Sequence, residues 1–345
     1  MASARYLGVD LAWRESRPGL PANETGVAVI DSGGRVLDAG WVRGVEDAVA
    51  WAGAAAGAGD AVMFVDAPLV VRNEAGQRPC ETQVGQRYGR WKVSARPTSL
   101  ASPWLAGVRF LMLAESHGWR YSDGSDGPPA GGRVLSESFP HATLVGAPEL
   151  GYDSERPRYK RQPPRVPMAQ WRYERAANCD TLIARLGRLD AADPPLLLRS
   201  HPVTRQLAEE PSPLADAAYK HREDLIDGLL CAWTAALWAR HGFDRCQVLG
   251  LPAEPADAAA EPAGVPAGPA NAQAATIIVP ARPEQRRLSG GRRARARWRW
   301  PLPGAPGRTV PASVRPRHGR NAAPGHHLGR ALWPPPTWRA PGPAS

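Results

Sequence analysis

Cysteine is scarce in this sequence. Cys80, Cys179, Cys231 and Cys246 are the four among 345 residues, and none stands at CxxC or metal-finger spacing. That argues against a disulfide-framed secreted scaffold and a cysteine-ligated metal, and it fits a reducing cytoplasm. Cys231 falls in an apolar helical run and reads as a small core residue. Long apolar runs are also missing: nothing approaches the ~20 residues needed to cross a bilayer. The first residues enter a strand pattern with no charged-then-apolar leader, so no membrane partner is expected. The chain has no GxxxxGK[ST] loop, no GxGxxG after a strand, no GxSxG elbow and no HExxH, so no organic cofactor is expected.

Acidic residues vanish toward the C-terminus. Residues 285–345 hold 13 Arg and no Lys, Asp or Glu, and 19 of those 61 positions are Pro or Gly. The whole chain carries +10, whereas residues 1–284, with 30 basic and 33 acidic side chains, carry −3. The basic character therefore belongs to the tail, and residues 288–345 are expected to be disordered. The run Arg292–Trp300 would attract any polyanion, although a plain disordered extension is the favoured reading.

The remaining sequence alternates strand and helix patterns. Strands are expected at Arg5–Leu11, at Gly26–Asp31 and Arg35–Val42 around the Ser32-Gly-Gly34 turn, at Ala61–Asp66 and at Arg133–Phe139. Helical spacing marks Val45–Ala56, Pro103–His117, Met168–Leu186 and the strongly apolar Leu214–Arg240. Residues 68–100 read as polar and Gly/Pro-punctuated chain. Gln247–Leu251 is a further short strand, 252–274 an Ala/Pro-rich linker or loop, and Thr276–Val279 is expected to return to the sheet.

Four carboxylates stand out against this pattern. Asp10 ends the run Tyr6-Leu-Gly-Val-Asp10, and Asp66 ends Ala61-Val-Met-Phe-Val-Asp66. Asp224 and Asp227, three apart, share one helix face. A charge at the end of a buried strand is costly unless it is paired or holds a metal. Two strand-end acids and an acidic helix turn suit a two-metal phosphoryl-transfer site, with Mg²⁺ or Mn²⁺ as the expected ions; solvated acids are the competing explanation. Two basic-aromatic stretches could meet a nucleic acid. Arg87-Tyr-Gly-Arg90-Trp-Lys92 follows the Asp66 strand, and Arg156-Pro-Arg158-Tyr-Lys160-Arg161 follows Glu137. Their cations would contact phosphates, and Tyr88, Trp91 or Tyr159 would stack on bases. His141, after Pro140, is a candidate for orienting water or phosphate, against an ordinary structural histidine.

Six segments carry a resemblance: Gly8-Val-Asp10-Leu-Ala-Trp13, Thr25-Gly-Val-Ala-Val-Ile-Asp31, Val65-Asp-Ala-Pro-Leu69, Arg78-Pro-Cys-Glu81, Glu137-Ser-Phe-Pro-His141 and Asp224-Leu-Ile-Asp227-Gly-Leu-Leu-Cys-Ala232. In order and content the chain resembles the RNase H-like superfamily, and more closely the bacterial family of predicted RNase H-like nucleases, domain of unknown function 429. The resemblance implies an α/β fold with a mixed five-stranded sheet and helices on both faces. The matching segments span about residues 5–240; the domain is expected in 1–251, with a return strand in 275–287. The resemblance also implies catalytic roles for Asp10, Asp66, Glu137, Asp224 and Asp227, all but Glu137 as metal ligands. Arg87, Arg90, Lys92, Arg158, Lys160 and His141 would serve the substrate. The implied activity is metal-dependent hydrolysis of nucleic-acid phosphodiesters; a non-catalytic nucleic-acid-binding module and an actin-like ATPase are the alternatives.

Overall fold

The computed structural model describes residues 4–14, 21–251 and 274–286; the tail after 286 and nearly all of the 252–274 linker lie outside the described residues. In chain order the elements are β1 (Arg5–Asp10), β2 (Glu24–Asp31), β3 (Val36–Arg43), α1 (Gly44–Ala56), β4 (Ala61–Val65), α2 (Pro79–Tyr88), α3 (Ala106–Ser116), β5 (Arg120–Tyr121), β6 (Arg133–Glu137), α4 (Pro140–Gly146), α5 (Met168–Leu186), α6 (Pro202–Glu209), α7 (Asp216–His241), β7 (Cys246–Leu249) and β8 (Ile277–Pro280). The main sheet runs β3-β2-β1-β4-β6-β5. β1, β2 and β3 form an antiparallel meander, whereas β4 lies parallel to β1 and to β6, and β5 parallel to β6. This is the expected mixed α/β architecture, with six strands in place of five because the two-residue β5 adds an edge.

Alternation sorts the side chains into two layers. Leu7, Val9, Val27, Val29, Met63 and Val65 form one core with Val45, Val49 and Ala52 of α1 and Phe110 of α3. The opposite face belongs to α7, which is buried from Arg222 to Ala239. A helix apolar on nearly every side fits that enclosed position. The contact is made through glycine: a Cβ at Gly8 would overlap the Gly228 carbonyl, and one at Gly26 the Asp224 carbonyl. Gly228 in turn lies close against the Gly26 carbonyl.

The structure corrects several expectations from sequence. Within residues 68–100 it forms α2, whose polar face hid it; only Cys80, Glu81, Val84 and Tyr88 are buried. Pro140 opens α4 at a first-turn position, where its missing N–H is harmless. α6 also begins on a proline. Thr276–Val279 does not rejoin the main sheet. Instead β8 pairs antiparallel with β7, Leu249 opposite Ile277. All four cysteines are buried and free, Cys231 within α7 as its pattern implied. Among the described residues no helix is long and apolar enough to cross a membrane.

Gly26→Ala should therefore lower stability by about 3 kcal/mol or more, because backbone must move to admit the methyl group. Gly53→Ala, in α1 with no atom in the way, should add about 0.5–1 kcal/mol. Thermal melts of the two variants check the contrast.

Candidate metal centre and adjoining cleft

Asp10 and Asp66 leave the sheet side by side. Val9 stands opposite Val65, and the Asp66 amide donates to the Val9 carbonyl at 2.8 Å. Asp10 shares the parity of Gly8, so its side chain emerges on the α7 face. There α7 supplies the third acid. One carboxylate oxygen from each of Asp10, Asp66 and Asp227 lies within 4.8 Å of the other two. Asp227 is fully buried, while Asp10 and Asp66 are partly open. The donor set is all oxygen and anionic, with one open side, and it can hold a metal ion.

Three carboxylates at this spacing repel one another unless cations compensate. Asp227 is met on both oxygens: the Tyr159 hydroxyl donates to Oδ1 at 2.8 Å, and the Lys160 ammonium pairs with Oδ2. On the outer turn of α7, Lys220 pairs with Glu223 at 3.0 Å and with Asp224. Compensation is incomplete. Burial, and then the charge of Asp10, push the Asp66 carboxyl from 3.8 up to about 8, against the pull of Lys160. Burial and Asp10 likewise push Asp224 up to about 8, against Lys220. Lys220 itself is held above its usual value: burial opposes its charge, but Glu223, Asp10 and Asp224 outweigh it.

Not every expected acid joins the cluster. Asp224 precedes Asp227 by three residues, about 4.5 Å along the helix axis, and its carboxylate faces Lys220. Glu137 is engaged elsewhere. Arg78 grips it in a two-pronged pair, Nη2 to Oε1 at 2.6 Å and Nη1 to Oε2 at 2.8 Å, and the Leu69 amide donates to Oε2 at 3.0 Å. Arg78 also donates through Nε to Glu81 at 2.8 Å, and Glu81 accepts from the Thr98 amide at 3.0 Å. All three charged groups are buried. Glu137 thus fixes the chain that leaves Asp66 and ties it to α2. Sequence reading missed the parts played by Arg78 and Lys220; Arg78-Pro-Cys-Glu81, an arginine three residues before an acid across a helix start, held the signal for the first.

The expected substrate residues divide. A cleft of about 300 Å³ opens beside Asp66, with Lys92, Lys160 and His141 among its lining residues; Arg87, Arg90 and Arg158 are not. Arg90 pairs with Glu284 and lies 3.7 Å over the Trp91 ring. Lys92 and Arg158 both pair with Glu155. Tyr88, Trp91 and Tyr159 are buried and offer no face to a base. Their polar atoms instead bind the fold: Tyr88 to the Pro280 carbonyl, Trp91 to the Asp153 carbonyl and Tyr159 to Asp227. His141 has a buried Nε2 with no hydrogen-bond partner. Burial, and then Lys160, Arg156 and Arg161, hold its ring well below the usual histidine value, so it stays neutral. A cavity of about 770 Å³ between α5 and α6 shares no residue with the acidic cluster.

Arg78→Met should cost about 3–5 kcal/mol at neutral pH, since it strands two buried carboxylates. Burial raises Glu137 even with Arg78 in place. Without the arginine its proton is held to higher pH, so the deficit should shrink as pH falls. Urea denaturation at two pH values reads this out.

The chain matches the model of the family described as protein of unknown function, DUF429, over residues 8–255. No curated protein and no solved structure matches it. The matched span runs from the strand carrying Asp10 through the helix carrying Asp227, and on that extent the chain belongs to the DUF429 family.

Proposed function

We propose that this chain is a metal-dependent nuclease hydrolysing nucleic-acid phosphodiester bonds, with Asp10, Asp66 and Asp227 as ligands for Mg²⁺ or Mn²⁺. The observation that carries the reading is the meeting of three carboxylates, from two strand ends and a helix, within 4.8 Å. Divalent metal held there would supply an activated water and stabilise the leaving oxygen. The residues of the chain hold and balance that centre. Tyr159 fixes the rotamer of Asp227. Lys160 and Lys220 offset negative charge, and Glu137 with Arg78 anchors the chain after Asp66. Asp224, one turn back along α7, holds Lys220 beside the centre.

A second reading draws on one observation: Lys160 already neutralises Asp227. In a non-catalytic nucleic-acid-binding module the lysine would stand permanently in place of a cation. The two readings part on Lys160→Met. In a nuclease this variant tightens Mn²⁺ binding, because a competing cation is gone. In a binding module it destabilises the fold and Mn²⁺ does not restore it.

The raised carboxyls give a signed expectation. Asp66 and Asp224 in the fold keep protons to about 8 that the unfolded chain releases near 3.8. Without metal, the stability these two carboxyls contribute should therefore be fully present below about pH 4 and be lost as pH rises toward about 8. Mn²⁺ displaces those protons, so its stabilising effect should grow with pH. At saturation the midpoint should rise by about 5 °C or more. Asp10→Asn should remove this response and abolish cleavage, while making the metal-free chain more stable at pH 8 by relieving repulsion. Melting curves with and without Mn²⁺ across pH, paired with a nuclease assay, are the test; a pH-independent metal effect, or cleavage by Asp10→Asn, defeats the reading.

A further inference from the structure

The cleft beside Asp66 has a composition that the metal centre does not account for. Arg96, Arg156 and Arg161 line it together with Asp66, Glu81 and Glu137, and among the described residues none of the three arginines pairs with a carboxylate. Arg96 and Arg161 are exposed with no side-chain partner among the described residues. The Arg156 guanidinium is half-buried and donates only to the Lys92 and Pro157 carbonyls. By contrast, the neighbouring Lys92 and Arg158 are already paired with Glu155. Burial and the charges of Arg161 and Arg158 depress Arg156 below its usual value, so the cluster is repulsive as it stands. An anion would relieve it.

The same cleft also carries aromatic surface. Trp13, three residues beyond Asp10, and Phe139, two beyond Glu137, are partly exposed lining residues. Phe139 is braced edge-on against His141, with ring centroids 5.7 Å apart, and His141 brings its unpartnered buried Nε2 to the same wall. Unpaired arginines interleaved with aromatic faces are the combination that holds unpaired nucleotides. At about 300 Å³ the cavity has the size of a small-ligand site, too small for two paired strands. A second cleft of about 350 Å³ continues from it and shares Lys92, Arg156 and Arg161.

Building on the nuclease reading above, we propose that this cleft takes one nucleotide of a single-stranded nucleic acid. Its base lies against Trp13 or Phe139, its phosphate on Arg96, Arg156 and Arg161, and the strand continues into the second cleft. The substrate class of the acidic centre is then single-stranded, presented one nucleotide at a time, and the cations that hold its phosphate are the unpaired ones and not Arg90.

The test is photochemical cross-linking of the full chain to single-stranded oligonucleotides of about 12 nucleotides carrying photoreactive thiouracil. Ca²⁺ is present to limit turnover, and adducts are mapped by mass spectrometry. Mapping separates the cleft from the arginine-rich segment 292–300, which any polyanion will label. Adducts are expected on Trp13 or Phe139. In the Arg96→Gln/Arg161→Gln double variant they should fall by about tenfold, with labelling of 292–300 unchanged. The salt dependence of cleft labelling should flatten by about 0.7 in log–log slope for each arginine removed. Both arginines are exposed, so the fold and its Mn²⁺ response should survive the change. Absence of adducts in the cleft, equal labelling by duplex, or insensitivity to the double variant overturns the inference. Loss of the Mn²⁺ response in wild type would instead strike the metal centre, so the two failures are told apart.

Discussion

The close contact between α7 and the sheet governs everything that follows at the acidic centre. A helix packed on a sheet through ordinary side chains stands about 10 Å away, too far for a short aspartate on the helix to meet one at a strand end. Here Gly8 and Gly26 leave room for the helix backbone itself, with Gly228 answering from the helix. Sheet pairing places Gly26 opposite Asp10, so the position that must be glycine and the position that must be acid are neighbours. Packing and chemistry are thus coupled: the contact that buries α7 also brings Asp227 to Asp10 and Asp66.

That proximity creates an electrostatic load, and the rest of the site answers it in two different ways. Deep in the domain, Glu81 and Glu137 share Arg78 in a closed set of hydrogen bonds, a fully paired arrangement that leaves nothing for a ligand. At the open end, the counter-charges of Asp10, Asp66 and Asp227 among the described residues are Lys160 and, at one remove, Lys220. The first group is stable as built. The second carries uncompensated repulsion, which is stored affinity for a cation. Beyond it, Arg96, Arg156 and Arg161 line the adjoining cleft.

Strong periodicity made much of this legible in the sequence. Met168–Leu186 was readable to the residue because its apolar spacing ends at Gly187, and β4 because five apolar residues run into Asp66-Ala-Pro. α2, α4 and α6 were not. α2 buries only four side chains, one of them a glutamate, so no apolar stripe betrays it. α4 and α6 each begin on a proline that reads equally well as a stop. At the site, the acids were visible because charge after an apolar run is conspicuous. Their separation into the converging Asp10, Asp66 and Asp227 and the acids set apart from them was not, because it depends on which turn of α7 stands level with the strand ends. Likewise, Arg158 and Arg161 look alike in sequence, and only the position of Glu155 makes one neutralised and the other free.

The β7–β8 pair lies partly beyond the span matched by the family, yet its strands are bound into the domain. Ser138 donates to the Ile278 carbonyl at 2.9 Å, and Arg282 reaches the Val145 carbonyl at 2.6 Å. Antiparallel pairing of Leu249 with Ile277 sets the two ends of the intervening chain side by side. A tether between fixed, adjacent anchors is thermodynamically almost indifferent to its length, each doubling costing only about 0.6 kcal/mol. This junction is therefore a place for an engineer to splice in a fluorophore or affinity module without disturbing the acidic centre.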